Sequence, residues 1–321
     1  MPAISIVLAT YNRAQLLPQA IASIQAQTFA DWELIVVDDG STDSTRQVVS
    51  EIQQRDPRVR YVHQENRGGA AARNMGVRAA QGMYITFQDD DDLCHPEKLA
   101  QQYQLLSTHP EYGWMYGFMD VENLVTGERS VHGRVVTTYR ELFSGYFIGT
   151  PTVLIRRSCF DRVGAFKEDR ALWGAEDLEF FLRLTKVYAF GCVPKPLITR
   201  HIREEQASIE RQARYLEATV QIYRTIDIKG QDQIRWLDKV RKVADLHHFV
   251  ACFYRDHGAY WQAARHFGQA LLTYPPIGVY LSKGPLTRQQ QLRQALVPLG
   301  QGAACLLKAF NANDKRRIAN I

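Results

Sequence analysis

Between residues 4 and 92, three runs of apolar, β-prone residues each break off into hydroxyls, amides or carboxylates. Ile4-Ser5-Ile6-Val7-Leu8-Ala9 stops at Thr10-Tyr11-Asn12-Arg13, and Glu33-Leu34-Ile35-Val36-Val37 stops at Asp38-Asp39-Gly40-Ser41-Thr42. Tyr84-Ile85-Thr86-Phe87-Gln88 stops at Asp89-Asp90-Asp91-Asp92. Near-continuous apolar runs of this length suit strands buried on both faces of a parallel sheet. Leu17, Ala20, Ile21 and Ile24, then Val48, Val49 and Ile52, recur at helical spacing between the runs, and Arg58 to His63 alternates as a further strand. Strands alternating with helices predict an α/β fold. Right-handed crossovers then put all three polar ends on one edge of the sheet, where open α/β sheets bind ligands.

Four adjacent carboxylates repel one another, so a fold holding Asp89–Asp92 must neutralise them with solvent or a cation. A strand ending in oxygen ligands suits a hard divalent ion, Mg²⁺ or Mn²⁺, whose other ligands could be substrate phosphates. The plain alternative is a solvated acidic turn ahead of a helix beginning near Pro96. Asn66-Arg67-Gly68-Gly69 opens an alanine-rich helix that carries Arg73. Such a turn either presents backbone N–H groups to an anion or simply packs a helix closely on the sheet. Further on, Tyr112 to Phe118 and Val153 to Arg156 read as strands around an irregular segment. Trp173-Gly174-Ala175-Glu176-Asp177 leads into an amphipathic helix from Leu178. Acids there favour the helix dipole, and an Asp in such a loop can equally serve as a general base.

Of 39 Lys and Arg, seven lie from residue 280 onward beside only one of the 34 acids, so the basic character belongs to the tail. The remainder is near neutral and lacks the basic face of a nucleic-acid-binding domain. Five scattered cysteines without CxxC spacing argue against zinc or a disulfide framework and for a reducing compartment. With no leader pattern at the start and no spanning apolar run, the expected location is cytoplasmic.

These blocks together resemble the family 2 glycosyltransferases of the GT-A fold, over about residues 3 to 205. The likeness rests on Ser5 to Arg13, Gln27-Thr28-Phe29 with Asp31 to Asp43, and Asn66-Arg67-Gly68 with Arg73-Asn74-x-Gly76. It continues through the acidic run with Pro96-x-Lys98-Leu99, then Gly164-x-Phe166 and Glu176-Asp177-x-Glu179-Phe180-x-Leu182-Arg183-Leu184. The resemblance implies a Rossmann-like mixed sheet and a catalytic domain over 1–205; beyond it the pattern itself predicts a helical C-terminal region over 206–321, with one tetratricopeptide-like hairpin and a basic amphipathic tail. It implies that Thr10, Tyr11, Arg13 and Asp39 hold the base of a nucleotide-diphosphate sugar, with Arg73 near base or diphosphate. Asp89-Asp90-Asp91 matches the family's DxD motif. Asp91 would ligate Mn²⁺ or Mg²⁺, and Asp89 and Asp90 would touch ribose and ion. An acid at the middle position departs from the usual small residue and leaves open which of those two meets the ribose. His201 resembles a basic motif that approaches the ion. Glu176-Asp177 matches the catalytic pair, with Asp177 taking the proton from an acceptor hydroxyl as it attacks carbon one with inversion.

The expected activity is hexosyl transfer to a glycan or lipid-linked acceptor, in cell-surface polysaccharide or glycan synthesis. A non-catalytic nucleotide-sugar or glycan-binding module acting through the tail is the alternative. A nucleotidyltransferase would want a Gly-rich, basic triphosphate loop, and Thr10-Tyr11-Asn12-Arg13 is not one. Beyond Arg203 the pattern is helical over 206–224 and 231–257, and Gly258 to Pro275 resembles the second helix of one tetratricopeptide repeat. A single copy cannot form a solenoid. Residues 285–321 read either as a basic amphipathic helix lying peripherally on the inner face of the plasma membrane or as an ordinary closing helix.

Overall fold

The computed structural model describes residues 1–145, 148–203, 208–231 and 234–273, together with Gln301, Gly302, Ala304, Cys305 and Lys308. Contacts divide the chain into two units, one of Met1–Arg170 with Glu176–Ala207, the other of Ala171–Ala175 with Ser208–Ile321.

The first unit is built on β1 (Ile4–Thr10), β2 (Trp32–Asp38), β3 (Val59–His63) and β4 (Tyr84–Asp89), linked by α1 (Leu17–Gln25), α2 (Thr45–Arg55) and α3 (Gly69–Ala79). All four strands are parallel, in the spatial order β3-β2-β1-β4. Nearly every residue of β1, β2 and β4 is buried, as their continuous apolar runs require. Thr10 pairs with Asp38, and Ala9 pairs with Asp89, so the three polar ends do share one edge of the sheet.

After β4 the chain makes a short β5 (Leu93–Cys94), α4 (Lys98–Thr108) and a long β6 (Tyr112–Asn123) with its hairpin partner β7 (Arg129–His132). It continues through α5 (Tyr139–Phe143), a 3-10 turn Thr150–Thr152, β8 (Leu154–Arg156), α6 (Ser158–Val163) and α7 (Glu176–Thr185) to β9 (Ala189–Ile202). β8 is antiparallel to both β4 and β6, which makes the sheet mixed. Sequence periodicity misses β9, because Pro194 and Pro196 interrupt it and proline removes a ladder donor. The strand accommodates them by slipping register, from Gly117 opposite Val193 to Phe118 opposite Pro196. β7 and α5 also fall where the pattern suggested irregular chain.

Behind β4 lies a fully buried lysine. Lys98 is 0% exposed, and its Nζ donates to Thr86 Oγ1 at 2.7 Å. Burial pushes its pKa down to about 8, against a smaller opposing influence from Cys94. An unfolded lysine titrates near 10.4, so between about pH 8 and 10 the unfolded chain binds more protons and stability must rise with pH. Wild type should therefore gain about 2 to 3 kcal/mol over that window. Urea denaturation at pH 7.5 and 10 should show this gain shrinking in Lys98→Met; an equal gain in both proteins would refute it.

In the second unit, α8 (Ile209–Thr225), α9 (Trp236–Asp256) and α10 (Tyr260–Thr273) form a helical layer. α9 and α10 pack on each other through Ala251, Ala263 and Phe267, with Gly258 at φ +75° in the turn between them. The membrane reading of 285–321 lies outside the described residues, apart from the five named above. Among the described residues no helix is long and apolar enough to cross a membrane.

Candidate active site

The loops at the carboxyl edge are laced together by side chains that the strand-ending motifs supply. Asn12, at φ +53°, accepts a hydrogen bond on Oδ1 from the Thr42 N–H at 2.7 Å, and its own N–H donates to Ser41 Oγ at 2.9 Å. Asp38 Oδ1 accepts from the Ser41 N–H, and Asp43 Oδ2 accepts from the Ala14 N–H. Asp39 gathers the turn before α3: its carboxylate accepts from the Arg67 and Gly68 N–H groups at 2.9 and 2.8 Å and from Gln64 Nε2 at 2.7 Å. Gly40 must be glycine, since it sits at φ +83° and a Cβ there would lie 2.8 Å from the Asn66 nitrogen.

The acidic run is not a wet turn. Asp89, Asp90 and Asp91 are half-buried and Asp92 is buried. Thr10 Oγ1 donates to Asp90 Oδ2 at 2.7 Å, joining the end of β1 to the end of β4. Burial, then the charges of Asp91 and Asp89, raise the Asp90 carboxyl to about 7 despite that hydrogen bond and Arg13. Burial and Asp89 likewise raise Asp91, with Arg13 opposing, and Asp92 is raised well above its ordinary range. Burial, more than mutual repulsion, disfavours charge on these carboxyls, which crowd their oxygens together at the end of β4.

Arg73 joins this run to the second acidic pair. Its Nη1 lies 2.8 Å from Glu176 Oε1 and its Nη2 lies 3.4 Å from Asp89 Oδ1. Burial works against its charge, but Asp89, Glu176 and Asp177 outweigh burial and raise its pKa. Beside it Asp177, 9% exposed, is raised to about 7, by burial first and by Glu176 second, with Arg73, the Leu178 N–H and Thr150 opposing.

The start of α7 is held against β4 by a ring stack. Phe166 meets Phe87 edge-on at 5.2 Å and packs on Phe180 at 4.4 Å. Asn74 clamps the same loop, donating from Nδ2 to the Phe166 carbonyl at 2.8 Å and accepting the Phe166 N–H on Oδ1 at 2.9 Å. Arg183 closes the far side through the carbonyls of Val163 and Ala165. Sequence reasoning gave Asn74 and Arg183 no role; their place in the Arg73-Asn74 and Leu182-Arg183-Leu184 blocks was the available signal.

Thr10, Arg13, Asp39, Arg73, Asp89, Asp90, Asp91, Glu176 and Asp177 therefore line connected loops of one unit, with Tyr11 half exposed beside them. Arg73 stands between the two acidic groups. His201 is buried behind the run: its Nδ1 lies 3.2 Å from the Asp91 carbonyl, its Nε2 3.6 Å from Glu122, and its main-chain N–H donates to Asp92 Oδ1. Both ring nitrogens face protein oxygens in this arrangement. Among the described residues no three His, Cys, Asp or Glu side chains converge as a ready-made metal cage.

Residues 5–164 match the profile described as Glycosyl transferase family 2. The Escherichia coli protein named UDP-Glc:alpha-D-GlcNAc-diphosphoundecaprenol beta-1,3-glucosyltransferase WfgD is 33% identical over 178 residues, 53% of this chain and 68% of that one. The match spans only 24% and 32% of uncharacterized glycosyltransferases from Rickettsia felis and Rickettsia conorii. Among solved structures, S. aureus TarS 1-349 in complex with UDP-GlcNAc superposes with a TM-score of 0.65 at 20% identity, covering 86% of this chain and 82% of that one. Mannosyltransferase PcManGT from Pyrobaculum calidifontis, in complex with GDP-Man and Mn²⁺, gives 0.61 at 20% identity, covering 94% and 86%. At such identities the likeness speaks for the fold, a GT-A mixed sheet.

Proposed function

The chain belongs to glycosyl transferase family 2, and from that premise we propose that it moves a sugar from a nucleotide diphosphate to an acceptor hydroxyl with inversion. The observation that carries this reading is Arg73, in contact with Asp89 on one side and Glu176 on the other. It draws a phosphate-facing acidic run and a base-bearing helix start into one place.

Thr10, Tyr11, Arg13 and Asp39 form the donor's base and ribose side, with Asp89 and Asp90 next to them. Asp91, with Asp89 beside it, would hold Mg²⁺ or Mn²⁺. The half-buried carboxylates at the end of β4 would suit such an ion, with diphosphate and water as its other ligands. When bound, the ion supplies neutralisation of charge developing on the leaving diphosphate. His201 holds the main chain at Asp91 in place from behind. Asp177 accepts the proton of the incoming hydroxyl, and Arg73 beside it favours the ionised form that this requires. A single in-line displacement needs no Ser or Cys nucleophile. WfgD is named for a diphosphoundecaprenol-linked sugar, and we extend only that acceptor class, a lipid-linked glycan in cell-surface polysaccharide synthesis.

The test is a panel of nucleotide sugars with Mn²⁺, read by thermal shift and by release of nucleoside diphosphate. One donor should raise the melting temperature and be slowly hydrolysed in the absence of acceptor, then consumed faster with a lipid-linked glycan. Binding without hydrolysis or transfer under any of these conditions would mean a nucleotide-sugar-binding module instead.

A further inference from the structure

The 3-10 turn Thr150–Thr152 meets Asp177 from the side opposite its own helix. Thr150 Oγ1 donates to Asp177 Oδ2 at 3.2 Å, and both residues are buried. Asp177 Oδ1 accepts the Leu178 N–H at 2.7 Å, so one carboxylate oxygen is fixed from the helix and the other from the turn.

The turn is in turn fixed from below by α4. Gln102 Nε2 donates to the Thr152 carbonyl at 2.8 Å. One helical turn earlier, Lys98 Nζ donates to Thr86 Oγ1, which donates to the Val153 carbonyl at 2.6 Å. Thr152 Oγ1 closes the turn on the Gly149 carbonyl at 2.7 Å. Lys98 and Gln102 are both 0% exposed, and among the described residues Gln102 Oε1 has no hydrogen-bond partner. A buried ammonium and a half-satisfied amide destabilise a core that two apolar side chains would fill without cost. What they give in exchange is a fixed height for the main chain at Thr152 and Val153.

We propose that Thr150 is a positioning residue for Asp177, aimed at it by a buried clamp of Lys98 and Gln102 acting through the main chain of the turn. The inference rests on Asp177 being the base. A hydroxyl donated to one oxygen orients the carboxylate and leaves its remaining lone pairs for the acceptor. It also favours the ionised form, as Arg73 on α3 does, against the opposing charge of Glu176 beside Asp177 on α7.

Steady-state transfer by the full chain tests this. Thr150→Val, which keeps the shape and removes the donor, should lower kcat about 10- to 100-fold at pH 7. Donor KM should stay within about twofold, and the acid limb of the kcat profile should move to higher pH. Thr150→Ser should restore most of kcat and return the limb to its wild-type place. Gln102→Met should reproduce the Thr150→Val pattern at smaller amplitude, which keeps the test open should Thr150→Val fold poorly. A folded Thr150→Val with wild-type kcat and an unmoved acid limb overturns the proposal. So does a Thr150→Ser variant as impaired as Thr150→Val, since that would be packing alone. Asp177→Asn run alongside separates the premises: if it is inactive while Thr150→Val is normal, only the positioning role falls. If Asp177→Asn retains transfer, the base assignment falls with it.

Discussion

Asp177→Asn should lower transfer by about 100- to 10,000-fold, the range general-base catalysis contributes, while nucleotide affinity stays within about twofold. Asparagine keeps the size of the side chain and an oxygen to accept the Thr150 hydroxyl, but it has no basicity. The ion pair of Arg73 with Glu176 and its contact with Asp89 do not involve Asp177, so the donor side should be left standing. The wild-type carboxyl is pushed to about 7, chiefly by burial. Its ionised, proton-accepting form is therefore lost as pH falls through neutrality, and kcat should fall with it. The same shift has an opposite sign for stability. A carboxyl that titrates near 3.9 unfolded and about 7 folded binds more protons in the folded state between those values, so it erodes stability as pH rises through that window. Asp177→Asn should then melt at or above the wild-type temperature at pH values above 7. Transfer within tenfold of wild type, in a folded variant, would remove the residue from the chemistry.

The polar strand ends that suggested this site were legible because a parallel sheet writes itself into sequence as continuous apolar runs, and its carboxyl edge as their interruption. Thr10, Asp38 and Asp89 fall into register as that logic requires. What was not legible depends on side chains meeting across long separations. Nothing near Thr150 announces a contact with Asp177, and nothing near Arg73 announces that it would span Asp89 and Glu176. Its helix position fixed only that a cation stands one turn inside α3. β9 was hidden for a local reason, two prolines that break the alternation while the register slip preserves the pairing. His201 sits close to the acidic run as the resemblance implied, yet its ring is turned onto the Asp91 carbonyl and Glu122. The helix after Gly258 was suggested by its spaced small residues, and in the fold Ala263 and Phe267 on it pack with Ala251 of α9.

Asp91→Asn should abolish whatever part of nucleotide-diphosphate affinity depends on Mn²⁺, a loss of about 10- to 100-fold that chelation of wild type with EDTA should reproduce. The physical ground is the repulsion already built into the run. Asp90 is raised by burial and by the charges of Asp91 and Asp89, Asp91 by burial and Asp89, and Asp92 by burial and the charges of Asp89 and Asp91, so the fold holds carboxylates together at a cost that a bound proton or a cation relieves. Removing one charge relieves that cost, and Asp91→Asn without metal should be at least as stable as wild type without metal. With Mn²⁺ and nucleoside diphosphate present the order should invert, because only wild type gains from the ion. Isothermal titration of UDP and GDP with Mn²⁺ and with EDTA, on both proteins, reads the affinities, and melting under the same four conditions reads the stabilities. Wild-type affinity indifferent to EDTA would show that Arg13 and Arg73, rather than a metal, meet the diphosphate charge. Asp91 would then be no ligand at all, and the acidic run would be left with ribose and backbone as its only business.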